Sequence, residues 1–314
     1  MKKLIVAVGG NAILPAGDPG DATGQLRRLA ETSSKLADLV AAGYDLIVTH
    51  GNGPQVGNIL LQNEESRQKV PAMPLDVCVA ESQAQIGYLF QQALANEFAA
   101  RRISKGVACV VTQVLVDPSD PAFGMPTKPI GPYYAREDEL VLKRAKGWKM
   151  VYDPRGGYRR VVPSPRPVDV VEKDVLVRLV NQGDGRVIIA VGGGGIPVIR
   201  KEGRLVGVEA VIDKDLASAV LARAIGWKLL AIVTDVPQVA LDFGKPTQRP
   251  MDRMTVADAR KHLTEGQFPA GSMGPKIEAI LDFLEAGGER AVITDMDHLV
   301  QAVDGKAGTQ ITRT

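Results

Sequence analysis

The sequence predicts an α/β protein in which a mostly parallel sheet is covered by helices on both faces. Short aliphatic runs alternate along the chain with helical patterns of a dozen or more residues, which is typical of a parallel sheet. Several of these runs, such as "KLIVAV" and "RVIIAV", are apolar after their first residue, as strands buried on both faces are. The 314 residues, 45% of them hydrophobic, suffice for one large domain or two smaller ones.

The individual elements follow from the same patterns. The opening "MKKLIVAV" has the basic start and apolar run of a signal peptide, but Gly9 and Gly10 interrupt the run, so we interpret it as the first strand. Gly43 marks the end of a helix, and Pro54 suits the first turn of another. In the first half we predict strands at 3–8, 45–50 and 107–116, and helices at 21–42, 54–66 and 77–102. In the second half we predict strands at 187–191, 229–235 and 290–294, and helices at 169–181, 213–225, 255–264 and 274–286.

Residues 117–167 differ from the rest of the chain. They hold nine of the 20 prolines and four of the six tyrosines. Proline removes a backbone donor, so this segment is not a central strand, and its many aromatic and basic residues are not typical of a flexible linker. We predict a small subdomain that folds over a site, with a disordered loop as the alternative.

The overall charge excludes some partners. Lys and Arg number 38 against 36 Asp and Glu, a formal net charge of +2, so no overall field favours nucleic acid or an acidic membrane. No stretch has the length and apolarity of a membrane span. Cys78 and Cys109 lack C-x-x-C spacing, which predicts neither a disulfide framework nor a zinc site. We therefore expect a cytoplasmic protein that binds neither nucleic acid nor membrane.

Three glycine-rich turns follow predicted strands: "AVGGNAI" (7–13), "GNGPQVG" (51–57) and "AVGGGGI" (190–196). Backbone N–H groups at such turns bind phosphate and carboxylate oxygens, although the same glycines also suit tight turns that merely leave a sheet. No G-x-x-x-x-G-K-[ST] motif occurs, so this is not a P-loop protein. The second turn is similar to a dinucleotide-binding turn, which keeps an NAD(P)-dependent dehydrogenase as an alternative, but its spacing is G-x-G-x-x-x-G.

Three lysines complete this pattern. Lys128 lies in "PTKPIGP", Lys214 in "VIDKDLAS" and Lys276 in "GSMGPK". A single lysine is by default a solvated surface charge. Each of these three, however, lies among prolines, paired aspartates or a Gly-Pro turn, which hold the backbone in place.

The glycine turns and lysines belong to a larger set of motifs. The set is "VGGNAI", "THGNGPQVGN", "PTKPIGP", "RRVVPSPRPVDVVE", "GGGGIPV", "GVEAVIDKDLAS", "TDV", "PAGSMGPKIEA" and "GKAGTQI". From residue 4 to the C-terminus, this combination resembles the carbamate kinases of the amino acid kinase superfamily. The resemblance implies a three-layer αβα sandwich around a mostly parallel eight-stranded sheet, in a single domain, residues 1–314. It also implies an acceptor lobe at about residues 1–207, a nucleotide lobe at about 208–314, residues 117–167 as an inserted lid, and a homodimer.

The resemblance also implies a reaction: ADP and carbamoyl phosphate give ATP and carbamate, reversibly, with Mg²⁺. A kinase for another small acid on the same fold is the alternative. The residues implied to hold the carbamoyl and phosphoryl groups are Gly9, Gly10, Asn11, Gly51, Asn52, Gly53, Gly193 and Gly194. The residues implied to bind the nucleotide are Lys214, Asp235, Val236, Met273, Gly274 and Lys276. Lys214 and Lys276 would be catalytic, with Asp215 organising them, and Lys128 would reach the cleft when the lid closes.

The chemistry of this reaction agrees with the residue types. Carbamate is already an anionic oxygen nucleophile, so the site needs cations, amide-lined turns and a metal rather than a general base. We therefore interpret His50 as an orienting hydrogen-bond partner, and His262 and His298 as surface residues. No dedicated metal ligands are expected, because Mg²⁺ would bind through nucleotide phosphates and water. Asp213 could bind metal or cap the helix that follows it, and the sequence does not separate these roles.

Overall fold

The computed structural model describes residues 2–14, 20–135, 140–141, 144, 147–153, 156–182, 185–269 and 271–314. Its helices are α1 (Ala22–Ala41), α2 (Gly53–Ser66), α3 (Leu75–Ala100), α4 (Lys173–Asn181), α5 (Lys214–Ile225), α6 (Val256–Thr264), α7 (Met273–Glu285) and α8 (Leu299–Val303). Local features set the starts of two helices: the Asp21 carboxylate accepts a 2.7 Å hydrogen bond from the N–H of Gly24, and Pro54 lies, as predicted, in the first turn of α2. Both helices accordingly begin within a residue of the predicted positions.

Eight strands form the central sheet. In spatial order they are β15 (Arg253–Thr255), β17 (Thr309–Thr312), β16 (Arg290–Thr294), β12 (Leu229–Val233), β1 (Lys2–Val8), β2 (Tyr44–His50), β9 (Val187–Ile189) and β3 (Val107–Cys109). All neighbouring pairs are parallel except β16 and β17. The mostly parallel eight-stranded sheet is therefore confirmed.

Helices cover both faces of this sheet. Along β1, Ile5 and Ala7 pack into one buried cluster, which α4, α5 and α7 complete. Leu4, Val6 and Val8 point the other way, into a second cluster with α1, α3 and α8. This alternation along one strand, with both faces buried, produces the three αβα layers.

A second sheet corrects the prediction of a single strand at 107–116. The chain leaves the central sheet after Cys109, and β4 (Gln113–Val116) instead pairs with β10 (Ile196–Lys201) and β8 (Pro167–Val170). Gln83 holds the intervening bend, because its side-chain oxygen accepts a hydrogen bond from the N–H of Thr112 at 2.5 Å. Both halves of the run are apolar, so the hydrophobic pattern contains no sign of the bend.

The predicted helix at 169–181 begins too early, because Asp169 and Val170 pair with β4 and α4 starts only at Lys173. The Glu172 carboxylate, at the start of that helix, accepts hydrogen bonds from the backbone and side-chain nitrogens of Gln113 at 2.7 and 2.8 Å. Six further strands were not predicted: β10, β11 (Arg204–Gly207), β13 (Ala240–Leu241), β14 (Arg249–Pro250), β15 and β17.

Within residues 117–167, the described part forms an antiparallel sheet of three strands. Their order is β5 (Lys128–Tyr134), β7 (Gly157–Val162) and β6 (Lys149–Asp153), so the prolines of β5 lie on an edge strand. The two ends of the segment meet, because β4 and β8 are paired and the N–H of Arg166 donates to the Asp120 carboxylate at 2.8 Å. The segment therefore leaves and re-enters the main body at one place.

This small sheet touches the main body through two glycines. A Cβ atom added to Gly57, in α2, would lie 2.0 Å from the backbone N and Cα of Gly131, in β5. Gly131 itself has a φ of +71°, and its carbonyl accepts two hydrogen bonds from the Arg159 guanidinium, at 2.8 and 3.1 Å. Backbone therefore packs directly on backbone where α2 supports β5.

Candidate active site

The three glycine turns lie side by side at one edge of the central sheet. They follow β1, β2 and β9, which are adjacent and parallel, so their carboxyl ends meet at the same edge. In open α/β sheets this edge is where ligands bind. The helix α5 begins at the same edge: a Cβ on Gly51 would lie 3.5 Å from the N of Gly10 and 3.8 Å from Cδ of Lys214.

The first turn needs glycine at position 9 for close approach. A Cβ on Gly9 would lie 3.0 Å from the carbonyl oxygen of Val233, the last residue of β12. Gly10 begins a short 3₁₀ turn that includes the backbone of Asn11, whose side chain lies outside the described part of the structure. In the second turn, Asn52 precedes α2, and Gly53 begins that helix.

The third turn is a run of left-handed backbone. The φ angles are 52° at Val191, 65° at Gly193, 89° at Gly194 and 87° at Gly195. A β-branched residue such as Val191 rarely adopts this conformation, and turns in which left-handed residues follow residues of the opposite hand can form concave nests of N–H groups that bind anions. There is no room for side chains, because a Cβ on Gly193 would lie 2.2 Å from the Asn52 amide nitrogen, and one on Gly194 2.4 Å from a backbone carbonyl oxygen.

The three predicted lysines converge on two aspartates at the start of α5. Lys128 Nζ lies 2.6 Å from Asp213 Oδ2, and Lys276 Nζ lies 2.9 Å from Asp215 Oδ2. Lys214 donates to the other oxygen of Asp215, and its Nζ lies 3.4 Å from the carbonyl oxygen of Ala7, at the end of β1. Three ammonium groups and two carboxylates give these five side chains a net charge of 3 − 2 = +1.

Both carboxylate oxygens of Asp213 have partners. Asp213 caps α5, since its Oδ1 accepts hydrogen bonds from the N–H groups of Asp215 at 2.9 Å and Leu216 at 3.4 Å. Its second oxygen holds Lys128, so capping and an ion pair account for both oxygens. Lys128 therefore contacts the main body in this structure, and its movement with the insertion stays a prediction.

Burial and charge pairing set the protonation states of the cluster. Burial alone would raise the pKa of Asp213, but Lys128, together with Lys214 and Lys276, outweighs it and holds that pKa far below its usual range. Burial likewise opposes ionisation of Asp215, and Lys214 and Lys276 together lower its pKa. For Lys276, Asp215 outweighs burial and raises the pKa, whereas burial lowers the pKa of Lys214.

The residues predicted to bind nucleotide lie beside this cluster. Asp235 and Val236 follow β12, and the negative charge of Asp235 contributes to the raised pKa of Lys276. Met273 and Gly274 begin α7, two residues before Lys276 on the same helix. The N–H of Gly274 donates to the carbonyl oxygen of Pro269 at 2.9 Å, and this bond shapes the start of the helix.

His50 lies between the second and third turns. It is completely buried, and burial lowers its pKa to about 4, so it is neutral at physiological pH. Its Nδ1 lies 3.0 Å from the carbonyl oxygen of Gly51 and therefore carries the proton, while a Cβ on Gly192 would lie 2.4 Å from Nε2. This geometry supports the interpretation of an orienting partner rather than a base. His298 is exposed as predicted, whereas the His262 side chain is mostly buried, with only 17% exposed, against Phe268.

Sequence reasoning did not identify three polar residues that hold the turns: Ser82 and Gln83 on α3, and Thr112 in the bend before β4. All three are buried. No local signal distinguishes them, because Ser82 and Gln83 stand among the polar residues of "ESQAQ" (81–85) and Thr112 lies in a mostly apolar run. In the part of the chain that the structure describes, no group of three His, Cys, Asp or Glu residues could hold a metal ion. The described helices also include none that is long and apolar enough to cross a membrane.

Comparison with known proteins agrees with this architecture. The model of the amino acid kinase family matches residues 2–295. A carbamate kinase from Thermococcus kodakarensis is 47% identical over 316 residues, which cover the full length of both chains. The chain belongs to the carbamate kinases of the amino acid kinase family.

Solved carbamate kinases have the same fold along the whole chain. The carbamate kinase from Giardia lamblia bound to AMP-PNP superposes with a TM-score of 0.91 at 40% identity, covering 99% of this chain and 98% of that one. The same enzyme bound to citric acid superposes with a TM-score of 0.93, again at 40% identity over 99% and 98% of the two chains. These similarities support a kinase that uses nucleotide, and they do not favour the dehydrogenase alternative for the second glycine turn.

Proposed function

We propose that the protein transfers a phosphoryl group reversibly between carbamoyl phosphate and ADP, giving ATP and carbamate. The observation that carries this proposal is the cluster of three lysines and two aspartates, with its net positive charge, beside three glycine turns. Such a site suits two anions that must approach each other while charge moves between them. The names of the relatives, at about 45% identity over the whole chain, support carbamate as the acceptor.

In the direction of ATP formation, a β-phosphate oxygen of ADP attacks the phosphorus of carbamoyl phosphate. The bond from phosphorus to the carbamoyl oxygen breaks, and carbamate leaves with the electron pair. Carbamate is stable as an anion, so neither step requires a proton from the protein. The task that remains is to hold both reactants in line and to neutralise the three phosphoryl oxygens between them.

The lysines keep donors available for those oxygens. An ammonium group has three N–H donors. Lys128 uses one on Asp213, and Lys276 one on Asp215. We propose that the remaining donors bind phosphate oxygens, Lys214 and Lys276 on the nucleotide side and Lys128 on the transferred group. The aspartates then hold the ammonium groups in position without using all of their N–H donors.

Mg²⁺ fits this site as a partner of the nucleotide. The carboxylates of Asp213 and Asp215 are both bound to lysines, and the described residues contain no three-ligand group. We propose that the metal is held by nucleotide phosphates and water, as Mg²⁺ commonly is. When bound, it supplies further neutralisation of the phosphate charge.

We also propose that the insertion acts as a lid. Residues 117–167 would move on the paired strands β4 and β8, where both ends of the segment meet. Closure would exclude water from a phosphoryl group that water could otherwise take. In this proposal the acceptor lobe comprises about residues 1–207 and the nucleotide lobe about 208–314.

A homodimer is the remaining part of the proposal. The strand β3 is the last in the central sheet as described, and the neighbouring side chains of Tyr88 and Val111 are 61% and 49% exposed. Exposed apolar side chains beside a sheet edge are typical of a contact surface. Two-fold pairing of this face with its copy would bury both, and we expect the assembly to be cytoplasmic.

A coupled assay of ATP formation tests the proposed function. Purified protein with Mg²⁺, ADP and carbamoyl phosphate should produce ATP, whereas acetyl phosphate in place of carbamoyl phosphate should give much less. ATP formation from acetyl phosphate alone would favour a kinase for another small acid. Oxidation or reduction of a nicotinamide cofactor, with no ATP formed, would favour the dehydrogenase.

A further inference from the structure

Two adjacent residues of α3 hold two different glycine turns. Ser82 Oγ accepts a 2.8 Å hydrogen bond from the side-chain amide of Asn52, in the second turn. Gln83 Nε2 donates to the carbonyl oxygen of Gly192, in the third turn, at 2.8 Å. Ser82 is completely buried, and Gln83 is 1% exposed. Adjacent residues of α3 therefore hydrogen-bond to both the second and the third glycine turn.

The Gln83 amide is fully used in this arrangement. Its oxygen accepts from the N–H of Thr112 at 2.5 Å, and its nitrogen also lies 3.3 Å from the Thr112 carbonyl oxygen. Thr112 in turn accepts a hydrogen bond at its Oγ1 from the N–H of Val191, at 3.1 Å. Gln83 thus reaches the third turn directly at Gly192 and indirectly, through Thr112, at Val191.

The third turn requires such support. Val191 is a buried, β-branched residue in left-handed conformation, with φ 52° and ψ 35°. Residues of this kind persist in a strained conformation only where surrounding contacts hold them. The bonds from Gln83 and Thr112 lie on both sides of the strained peptide, and the Asn52 side chain packs against Gly193.

We propose that Ser82 and Gln83 are positioning residues that set the distance between the second and third glycine turns, and so shape the site for the transferred phosphoryl group. This inference rests on the proposed function. In this arrangement neither side chain contacts substrate. They act through Asn52 and the backbone of residues 191–193, whose spacing must match the oxygens of the anion that binds there.

The variants Gln83→Met and Ser82→Ala test this inference. Methionine has nearly the shape of glutamine without its hydrogen bonds, and alanine removes only the hydroxyl of Ser82. Gln85→Met is the matched control, because Gln85 is an exposed glutamine on the same helix. We expect Gln83→Met to raise the KM for carbamoyl phosphate about tenfold and to leave the KM for ADP within about twofold. Ser82→Ala should also raise the KM for carbamoyl phosphate, and Gln85→Met should change neither KM value.

A merely structural role would give a different result. A variant that is only less stable has a lower Tm and a smaller active fraction, but its KM values for carbamoyl phosphate and ADP are unchanged. That outcome would overturn the inference. An equal rise in the two KM values would also overturn it. Calorimetric titration with inorganic phosphate gives a second test that does not depend on turnover. Gln83→Met should bind phosphate about tenfold more weakly than the wild type, and equal binding would overturn the inference. Failure of the wild type to form ATP would instead contradict the proposed function.

Discussion

Lys128 Nζ lies 2.6 Å from Asp213 Oδ2, while the other carboxylate oxygen of Asp213 caps helix α5. Lys128 lies in the inserted sheet, and α5 carries Lys214, so a single carboxylate joins the insertion to the helix at the centre of the site. The first two predictions follow from this contact.

The three lysines should differ in their effect on nucleotide binding. Lys128→Ala should lower kcat about a hundredfold or more and leave ADP binding nearly intact, because Lys128 is proposed to act on the transferred group. Lys214→Ala and Lys276→Ala should weaken ADP binding as well as turnover. Lys128→Arg should restore little activity, since a planar guanidinium does not replace a compact ammonium group. Measurements of equilibrium ADP binding and of steady-state rates for each variant check this prediction. A near-normal kcat for Lys128→Ala would refute the proposed role of Lys128 on the transferred group.

Substitutions of Asp213 should separate its two roles. Asparagine keeps an oxygen that can cap α5, whereas alanine keeps neither the cap nor the charge. We expect Asp213→Ala to lower the free energy of unfolding by about 1 kcal/mol and Asp213→Asn to lower it less. Both variants should lose kcat, because both release Lys128. Urea unfolding and steady-state rates measure the two effects, and wild-type kcat in both variants would mean that the ion pair does not position Lys128.

The stability of the protein should depend on pH through His50. Its pKa is about 4 in the folded protein against 6.5 for the ordinary value, so the unfolded chain binds a proton first as the pH falls. The contribution of His50 is therefore complete above pH 6.5 and is lost between pH 6.5 and 4. The pKa difference corresponds to about 3 kcal/mol in the free energy of unfolding. Urea unfolding at several pH values between 4 and 7 measures this change in the free energy of unfolding.

His50→Gln should flatten that dependence, because glutamine has no titrating group. His298→Gln is the matched control, since His298 is exposed. An equal slope in the wild type and in His50→Gln would show that other groups cause the dependence.

Chelation should separate metal binding from folding. With Mg²⁺ held by the nucleotide rather than by a protein cage, excess EDTA should abolish activity and leave Tm and the near-UV circular dichroism spectrum unchanged. Addition of Mg²⁺ should restore the activity. Unfolding on chelation would reveal a structural metal site that the proposal does not include.

Limited proteolysis tests the lid. Cuts in the free protein should concentrate within residues 117–167 and become slower when carbamoyl phosphate is present, because closure would hold the segment against the main body. Cleavage in the central sheet serves as the internal reference. Equal cleavage of the segment in both conditions would count against a moving lid.

The parts of the fold that sequence patterns predict correctly have local causes. Pro54 and the apolar runs of the central strands each act within a few residues, so the sequence alone indicates their positions. The break after Cys109 has a distant cause, because it depends on pairing with β8 and β10 and on the Gln83 side chain. Asp169 and Val170, the last two residues of β8, were likewise predicted as helix, because the strand with which they pair lies about fifty residues earlier in the chain.

The same distinction applies to the candidate site. Glycine turns after strands and lysines in rigid surroundings are local features, and these were predicted. The contact between Lys128 and Asp213 spans 85 residues, and no pattern near either residue indicates it. Ser82 and Gln83 were not singled out, because in a helix pattern they are two polar residues whose partners are unknown.

The contact of Gly57 with Gly131 has a consequence for the evolution and engineering of this protein. Gly57 lies in an ordinary helix and takes no part in the proposed chemistry, yet even a methyl group there would push away the strand that begins with Lys128. A mutational scan would therefore record this position as intolerant, and a reader of that scan would be tempted to assign it a catalytic role. The constraint is purely spatial: any side chain at residue 57 would displace β5, and Lys128 with it, without itself contacting a reactant.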